Sequence, residues 1–290
     1  MGSADVVPGV SGGTIAFISG IYEELIRSIR SVDATALRLF IKFRFRELWS
    51  YVNGGFLLPV LLGIAVAIFS LARLMTWLLV HHPVAIWSFF FGLIVASALL
   101  VARQIGKWDW RSVGALLVGT AVAWWITVAT PAQTPETWWF ILLAGAIAVC
   151  AMILPGISGA FILLLLGKYQ FIMQAVSDLN IPVMLVFLVG AAAGIIAFSH
   201  LLSWLLGRWH DVTVAVLMGF MVGSLNKVWP WKETLETYVD SHGKLQPLVE
   251  RNIWPGHFEW QALLLGAAGF LTIWGIESLA RRFGPHNDVK

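Results

Sequence analysis

The feature that most constrains this chain is a nearly identical motif that twice interrupts apolar sequence. Residues 8–14 read PGVSGGT and residues 155–159 read PGISG, and each copy is followed at the same spacing by a glycine and a tyrosine. Proline and glycine interrupt helices, yet both copies lie in strongly apolar surroundings. Interrupted backbone at membrane depth is tolerated only where it lines a cavity or is covered by protein. The duplicated interruption therefore predicts a site within a membrane.

The composition is that of a polytopic membrane protein. Of the 290 residues, 59% are hydrophobic and 12% are charged, whereas roughly 25% are charged in a soluble domain. Apolar runs longer than about 20 residues recur along the whole length, which excludes a soluble domain with one anchor. The single Cys150 excludes an intramolecular disulfide, and the scattered histidines lack the spacing of metal ligands. We therefore expect no metal, no cofactor and no nucleic acid partner.

Further matches divide the chain into two repeats. A shift of 127 residues superposes Gly63 on Gly190 and residues 92–97 on 219–224, and a shift of 150 superposes residues 108–110 on 258–260. We predict an all-α membrane protein whose halves each carry a re-entrant or broken helical hairpin with PGxSG and three transmembrane helices. The first repeat, 1–133, contains a broken helix at 6–22, a basic interfacial stretch at 23–53 and spans at 55–80, 84–102 and 112–130. The second, 134–290, contains a re-entrant hairpin at 138–176, a polar loop at 229–257 and spans at 182–206, 212–228 and 258–278.

Three spans per repeat give the second repeat the opposite orientation, the inverted arrangement that many secondary transporters use. The distribution of basic residues agrees with this, because one side would hold most of them, as the positive-inside rule requires of the cytoplasmic side. These residues are Arg27, Arg30, Arg38, Lys42, Arg44, Arg46, Arg103, Lys107, Arg111, Arg208, Arg281, Arg282 and Lys290. We expect the basic loops and the C-terminus to be cytoplasmic. Only residues 1–7 precede the first motif, so either its first arm is missing from this chain or the break is entered from the membrane surface.

Helices that begin within the membrane have a chemical consequence. Their first backbone N–H groups lack intrahelical partners, and the positive ends of their dipoles point into the cavity. Two such starts from opposite faces would bind an anion. The predicted phosphate-binding residues are Ser11, Gly12, Gly13, Thr14, Ser158 and Gly159, with Pro8, Gly9, Pro155 and Gly156 shaping the backbone. The alternative is a packing kink with a serine cap.

Four ionisable residues are further candidates. Arg73 and His200 superpose under the 127-residue shift, and a charge within a span suggests a partner, here the anion. Snorkelling would also explain Arg73, and a hydrogen bond within the bundle would explain His200. Asp5 and Glu23 flank the first break and are candidates for proton coupling, although Asp5 would also suit a helix cap and Glu23 the water interface.

Residues 1–14 (MGSADVVPGVSGGT), 20–23 (GIYE) and 154–159 (LPGISG) resemble a bacterial family that was formerly a domain of unknown function. This polyprenyl-phosphate transporter (PopT-like) family is connected with moving undecaprenyl phosphate across the cytoplasmic membrane, and the resemblance covers essentially the whole chain. It implies a flippase of the inner membrane that returns this carrier lipid to the inner leaflet for cell-wall biogenesis. The family motif corresponds to residues 8–14 and 155–159, followed by Tyr22 and Glu23, whereas Arg73 and His200 rest on the symmetry alone.

Two other functions remain open at this point. A transporter of a small soluble anion would use the same opposed half-helices but would need no lateral opening for a lipid tail. A lipid-phosphate phosphatase would need a cluster of His, Arg and Asp, or carboxylates for a metal, and the sequence has neither. We therefore expect no enzyme activity. The sequence does not distinguish protons from sodium as the coupling ion, the direction of transport or the oligomeric state.

Overall fold

The structure is a computed structural model that describes residues 1–2, 11–132, 134–239, 245–256 and 259–283. Its helices are α1 (Gly12–Ile18), α2 (Tyr22–Arg30), α3 (Ala34–Ile41), α4 (Phe45–Tyr51), α5 (Gly54–His81), α6 (Pro83–Ala102), α7 (Trp110–Val128), α8 (Trp138–Ile153), α9 (Gly159–Leu165), α10 (Tyr169–Ser177), α11 (Ile181–Arg208), α12 (His210–Ser224) and α13 (Trp260–Phe283). The strands β1 (Lys232–Val239) and β2 (Leu245–Asn252) pair antiparallel between α12 and α13. The predicted motif residues Pro8 and Gly9, and Asp5, lie outside the described residues.

The described part is a mostly helical, multi-pass membrane protein. Five of its helices, α5, α6, α7, α11 and α13, are long and apolar enough to cross a membrane. The helices α9 and α10 are bent by 109° relative to each other and would count as a sixth span if taken together. The predicted span at 212–228 overlaps with α12, which begins two residues earlier and has 15 residues because the chain turns at 225–228. That helix is shorter than the roughly 20 residues that cross a hydrocarbon core.

Residues 229–257 differ from the predicted polar loop, since the described part of this segment contains the β1–β2 hairpin. Strand β1 reads KETLETYV, in which threonine, tyrosine and valine favour extended backbone. The part that crosses the membrane is therefore helical as predicted, but the described residues also contain a small two-stranded sheet at one end of the helices.

Helix bounds in the two halves correspond closely. A shift of 147 residues takes the bounds of α1 to those of α9 and the bounds of α2 to those of α10, and a shift of 127 takes α5 to α11. The 20-residue difference between the shifts corresponds to α3 and α4, which the second half lacks at the equivalent place. The insertion is thus confined to the later part of the predicted basic stretch 23–53.

Glycine allows three pairs of helices to pack very closely. A Cβ atom at Gly92 of α6 would overlap with the carbonyl oxygen of Gly266 in α13, and one at Gly219 of α12 would lie 2.5 Å from that of Leu116 in α7. The 127-residue shift relates the two glycines, and the 150-residue shift relates their partners. In the third pair, Gly190 of α11 packs in the same way on α8. Small residues at such contacts are typical of helices in membranes.

The bundle has two distinct ends. At the basic end, formed by residues 103–111 and 208–211, the Asp211 carboxylate accepts hydrogen bonds from the N–H groups of Gly106 and Lys107 at 3.1 and 3.0 Å. Arg103 also lies 3.7 Å from Glu277 in α13. The strand end is formed by the described residues of 129–137 and 225–256, and there Asn226 donates a hydrogen bond to Thr127 at 2.7 Å.

Candidate functional site

The two interrupted segments touch inside the bundle. The Ser11 hydroxyl donates to the carbonyl oxygen of Met152 at 2.9 Å, and the Tyr22 hydroxyl donates to that of Ile153 at 3.2 Å. The Thr14 hydroxyl oxygen accepts from the N–H of Gly156 at 3.1 Å. Three side chains of the first segment thus bind the backbone of the second motif or of the residues just before it, and we call this contact the motif junction.

In this conformation the hydroxyl groups of Ser11 and Thr14 form hydrogen bonds within the protein. Besides its bond to α8, Ser11 caps α1 by accepting from the N–H of Gly13 at 3.0 Å. Ser11 is 2% exposed and Thr14 is fully buried. Gly13 has no room for a side chain, because a Cβ atom there would lie 2.5 Å from the carbonyl oxygen of Ile153. The described residues of the first motif therefore hold the two halves of the chain in contact.

The second motif has a different environment. Gly156 adopts a left-handed conformation with φ of +88°, and a Cβ atom there would lie 2.8 Å from the Ser224 hydroxyl. Glycine is required on both counts. Ser158 precedes α9, and within the described part of the chain its hydroxyl makes no capping hydrogen bond. The two equivalent serines therefore differ, since Ser11 caps its helix and Ser158 makes no capping bond in the part that the structure describes.

Ser158 and Gly156 line a small cavity of about 10 Å³, which is close to the minimum that holds one water molecule. A larger cavity of about 310 Å³ adjoins it at the strand end, since Thr127, Phe161 and Lys227 line both. The larger cavity lies between the end of α7, the helix α9 and the β-hairpin. Its three shared lining residues place it next to the small cavity at the second motif.

The α8–α9 segment returns to the end from which it starts. The N–H of Ala132 donates to the carbonyl oxygen of Leu165 at 2.8 Å, and the Lys168 ammonium donates to that of Thr134 at 2.6 Å. The link that precedes α8 is therefore bound to the end of α9. The return helix has only seven residues, about 10 Å at 1.5 Å per residue, after which the chain bends into α10.

Three charged residues at the larger cavity were not singled out by the sequence. Lys227 lies on the turn after α12, at the end of the predicted span 212–228, and Lys232 and Glu250 lie on the two strands, within the predicted polar loop 229–257. Burial lowers the pKa of Lys232 to about 8, although the negative charge of Glu250 acts to raise it. Burial alone would raise the pKa of Glu250, but the charges of Lys232 and Lys227 lower it overall.

Glu23 and His200 make their described contacts away from the motif junction. Glu23 is exposed at the basic end, where its carboxylate lies 3.4 Å from the His210 ring. His200 is exposed on α11, and its Nδ1 lies 2.9 Å from the carbonyl oxygen of Ile196 in the same helix. Arg73 lies in α5, and its side chain is outside the described part. Among the described residues, no group of three or more His, Cys, Asp or Glu could hold a metal ion.

Comparison with known families gives these features a context. A model of the undecaprenyl phosphate translocase-like family matches residues 1–246. The chain belongs to this family. A Vibrio cholerae relative named polyprenyl-phosphate transporter is 46% identical, and the match covers 97% of this chain and 94% of the relative. A Staphylococcus aureus relative of the same name is 34% identical, with 79% of this chain and 83% of the relative covered. No solved structure matches the chain significantly.

Proposed function

We propose that this member of the translocase-like family moves a polyprenyl phosphate, with undecaprenyl phosphate as its substrate, across the bacterial cytoplasmic membrane. The observation that carries the proposal is the motif junction, where two interrupted segments meet inside an apolar bundle beside a cavity. A phosphate head needs such a polar place to cross roughly 30 Å of hydrocarbon, whereas the isoprenoid tail can stay in lipid.

An inverted repeat would give this junction two alternative openings. The start of α2, just beyond α1, is next to His210 at the basic end, and α9 ends beside Ala132 at the strand end. These contacts support half-helices that leave the junction in opposite directions. The corresponding helix bounds and the paired glycine contacts support two structurally equivalent halves. We propose that the halves rock about the junction.

The two motifs would then bind the phosphate at different stages. Because Ser158 is uncapped and lines a cavity, we propose that the lipid phosphate first meets Ser158 and the amides of Gly159 and the residues after it. Ser11, Gly12, Gly13 and Thr14 would contribute once the junction opens and their present bonds to α8 are broken. The roles of Arg73 and His200 in binding stay predictions.

Sidedness and coupling follow from the same scheme. We propose that the basic end faces the cytoplasm, because the positive-inside rule favours it. Glu23 lies at that end against His210, and this pair is where we propose that a coupling proton would exchange. The protein would release its lipid chemically unchanged, since transport requires no bond to be broken.

The test is the leaflet-resolved accessibility of undecaprenyl phosphate in proteoliposomes. Wild type should equilibrate the lipid between leaflets, and Ser158→Ala should slow this severalfold. The matched control is Ser177→Ala, because Ser177 is exposed and its described hydrogen bond goes to the carbonyl oxygen of Met173 in its own helix. Equal rates in wild type and Ser158→Ala would remove Ser158 from the site. Movement of inorganic phosphate instead of the lipid would favour a small-anion transporter, and release of free phosphate would indicate a phosphatase.

A further inference from the structure

The cavity at the strand end is amphiphilic. One wall is apolar and comes from α9, with Phe161, Leu164 and Leu165, and the opposite wall is charged. Its volume of about 310 Å³ corresponds to roughly ten water molecules at about 30 Å³ each. This is large enough for a phosphate group and the first part of an attached chain, and it is at the lower end of the range for small-molecule sites.

Two ammonium groups converge on one carboxylate oxygen in this cavity. Oε2 of Glu250 lies 3.0 Å from the Nζ atom of Lys227 and 3.4 Å from that of Lys232. The two lysine side chains are 19% and 7% exposed, and that of Glu250 is 16% exposed. With both lysines protonated, the cluster carries one positive charge in excess. A largely buried excess charge is costly unless a counterion is supplied.

The aromatic surroundings do not remove this excess charge. Nζ of Lys227 lies 4.8 Å from the centre of the Phe161 ring, and Nζ of Lys232 lies 3.8 Å from that of Trp87. Such contacts stabilise a cation but leave its charge unneutralised. Arg251, which also lines the cavity, is paired with Glu233 at 2.7 Å on the exposed face of the hairpin. Among the described side chains that line the cavity, the excess therefore belongs to the two lysines.

We propose that Lys227 and Lys232 form a second anion site, for a phosphate monoester that carries an apolar chain, and that Glu250 is an internal counterion which the phosphate displaces. The inference rests on the proposed function, in which it is the place where the lipid head is captured before it reaches Ser158. A phosphate monoester carries a charge of about −1.5 to −2 near neutral pH. It neutralises both lysines and repels the Glu250 carboxylate, while the α9 wall contacts the chain.

Titration of Lys232 gives the site a pH dependence with a definite sign. The pKa of Lys232 is lowered by burial to about 8, and that of Glu250 is lowered overall by the two lysines. Above pH 8 an increasing fraction of Lys232 is neutral in the empty site while Glu250 remains charged, so the excess positive charge disappears. Binding of a phosphate monoester should therefore weaken as the pH rises through about 8, and Lys232→Gln should lose this dependence.

The experiment is calorimetric titration of the full-length protein in detergent micelles with farnesyl phosphate, and in parallel with inorganic phosphate. We expect Lys227→Gln and Lys232→Gln each to bind farnesyl phosphate at least about tenfold more weakly, since each loses a charge-assisted hydrogen bond to the phosphate, and tenfold corresponds to about 1.4 kcal/mol. Glu250→Gln should bind it about tenfold more tightly, because the competing charge is gone. A gain in affinity cannot come from misfolding. Arg251→Gln is the matched control and should stay within about twofold of wild type, because exposed ion pairs contribute little.

The outcomes separate this inference from the proposed function. Wild-type lipid movement in proteoliposomes, together with unchanged farnesyl phosphate affinities in all three variants, would overturn the second site and leave the function standing. A loss in Lys227→Gln alone would also overturn it, because Lys227 lines the small cavity at Ser158 as well. Equal affinity for inorganic phosphate would refute the contribution of the chain. No lipid movement by wild type would overturn the function itself.

Discussion

The most direct test of the motif junction is Thr14→Val. Thr14 is fully buried, and its hydroxyl oxygen accepts the N–H of Gly156 at 3.1 Å. Valine has almost the same size but accepts no hydrogen bond, so the substitution leaves a buried backbone N–H without its partner. Such a group costs about 1–3 kcal/mol. We expect the free energy of unfolding to fall by about that amount.

Thr213→Val is the matched control for this change. Thr213 is also buried, at 7% exposure, but its hydroxyl donates to the carbonyl oxygen of Trp209, which also accepts the N–H of Thr213. Removing this hydroxyl leaves no buried group unpaired, so we expect a change within about 0.5 kcal/mol. The measurement is reversible unfolding in mixed detergent micelles, followed by circular dichroism. If Thr14→Val costs no more than Thr213→Val, the junction contributes no stability and our reasoning about it is wrong.

Three further predictions concern other parts of the molecule. Ser158→Ala should slow lipid movement but change the free energy of unfolding by less than about 0.5 kcal/mol in the same assay, because no described capping bond is lost. A large destabilisation would mean that the hydroxyl is structural. Gly190→Ala should destabilise by about 1–3 kcal/mol, because its Cβ would overlap with a backbone carbonyl oxygen of α8, whereas Gly63→Ala, its repeat equivalent with no described atom within 4 Å, should be tolerated. Asp211→Asn should make residues 106–107 exchange their amide hydrogens severalfold faster, because asparagine has one acceptor oxygen where Asp211 uses two, and unchanged exchange would contradict that contact.

Several features of this protein follow from the sequence because they are local. Apolar runs of sufficient length require helices that satisfy their own backbone in lipid, and the long apolar helices α5, α6, α7, α11 and α13 agree with this requirement. Proline and glycine at 155–156 ended α8 where the motif begins. The repeat shifts are also a property of the sequence, and the bounds of α1 and α9 follow them.

Other features depend on how distant segments pack. Ser11 and Ser158 occupy equivalent motif positions, yet Ser11 is bonded to α8 and Ser158 is uncapped beside a cavity. No local pattern distinguishes them, because the difference arises from which segment crosses the bundle next to each.

The charged cluster shows the same limit. Lys227 and Lys232 are five residues apart, and Glu250 follows on the paired strand, so their common oxygen contact depends on the β-hairpin register. In the sequence Lys227 ends a predicted span, and Lys232 and Glu250 are ordinary charges of a polar loop. Hydropathy and motif spacing determine which segments enter the membrane and where they break, since both act within a few helical turns. Which hydroxyl stays open, and which charges converge, was decided only by the tertiary structure, because those distances join residues far apart along the chain.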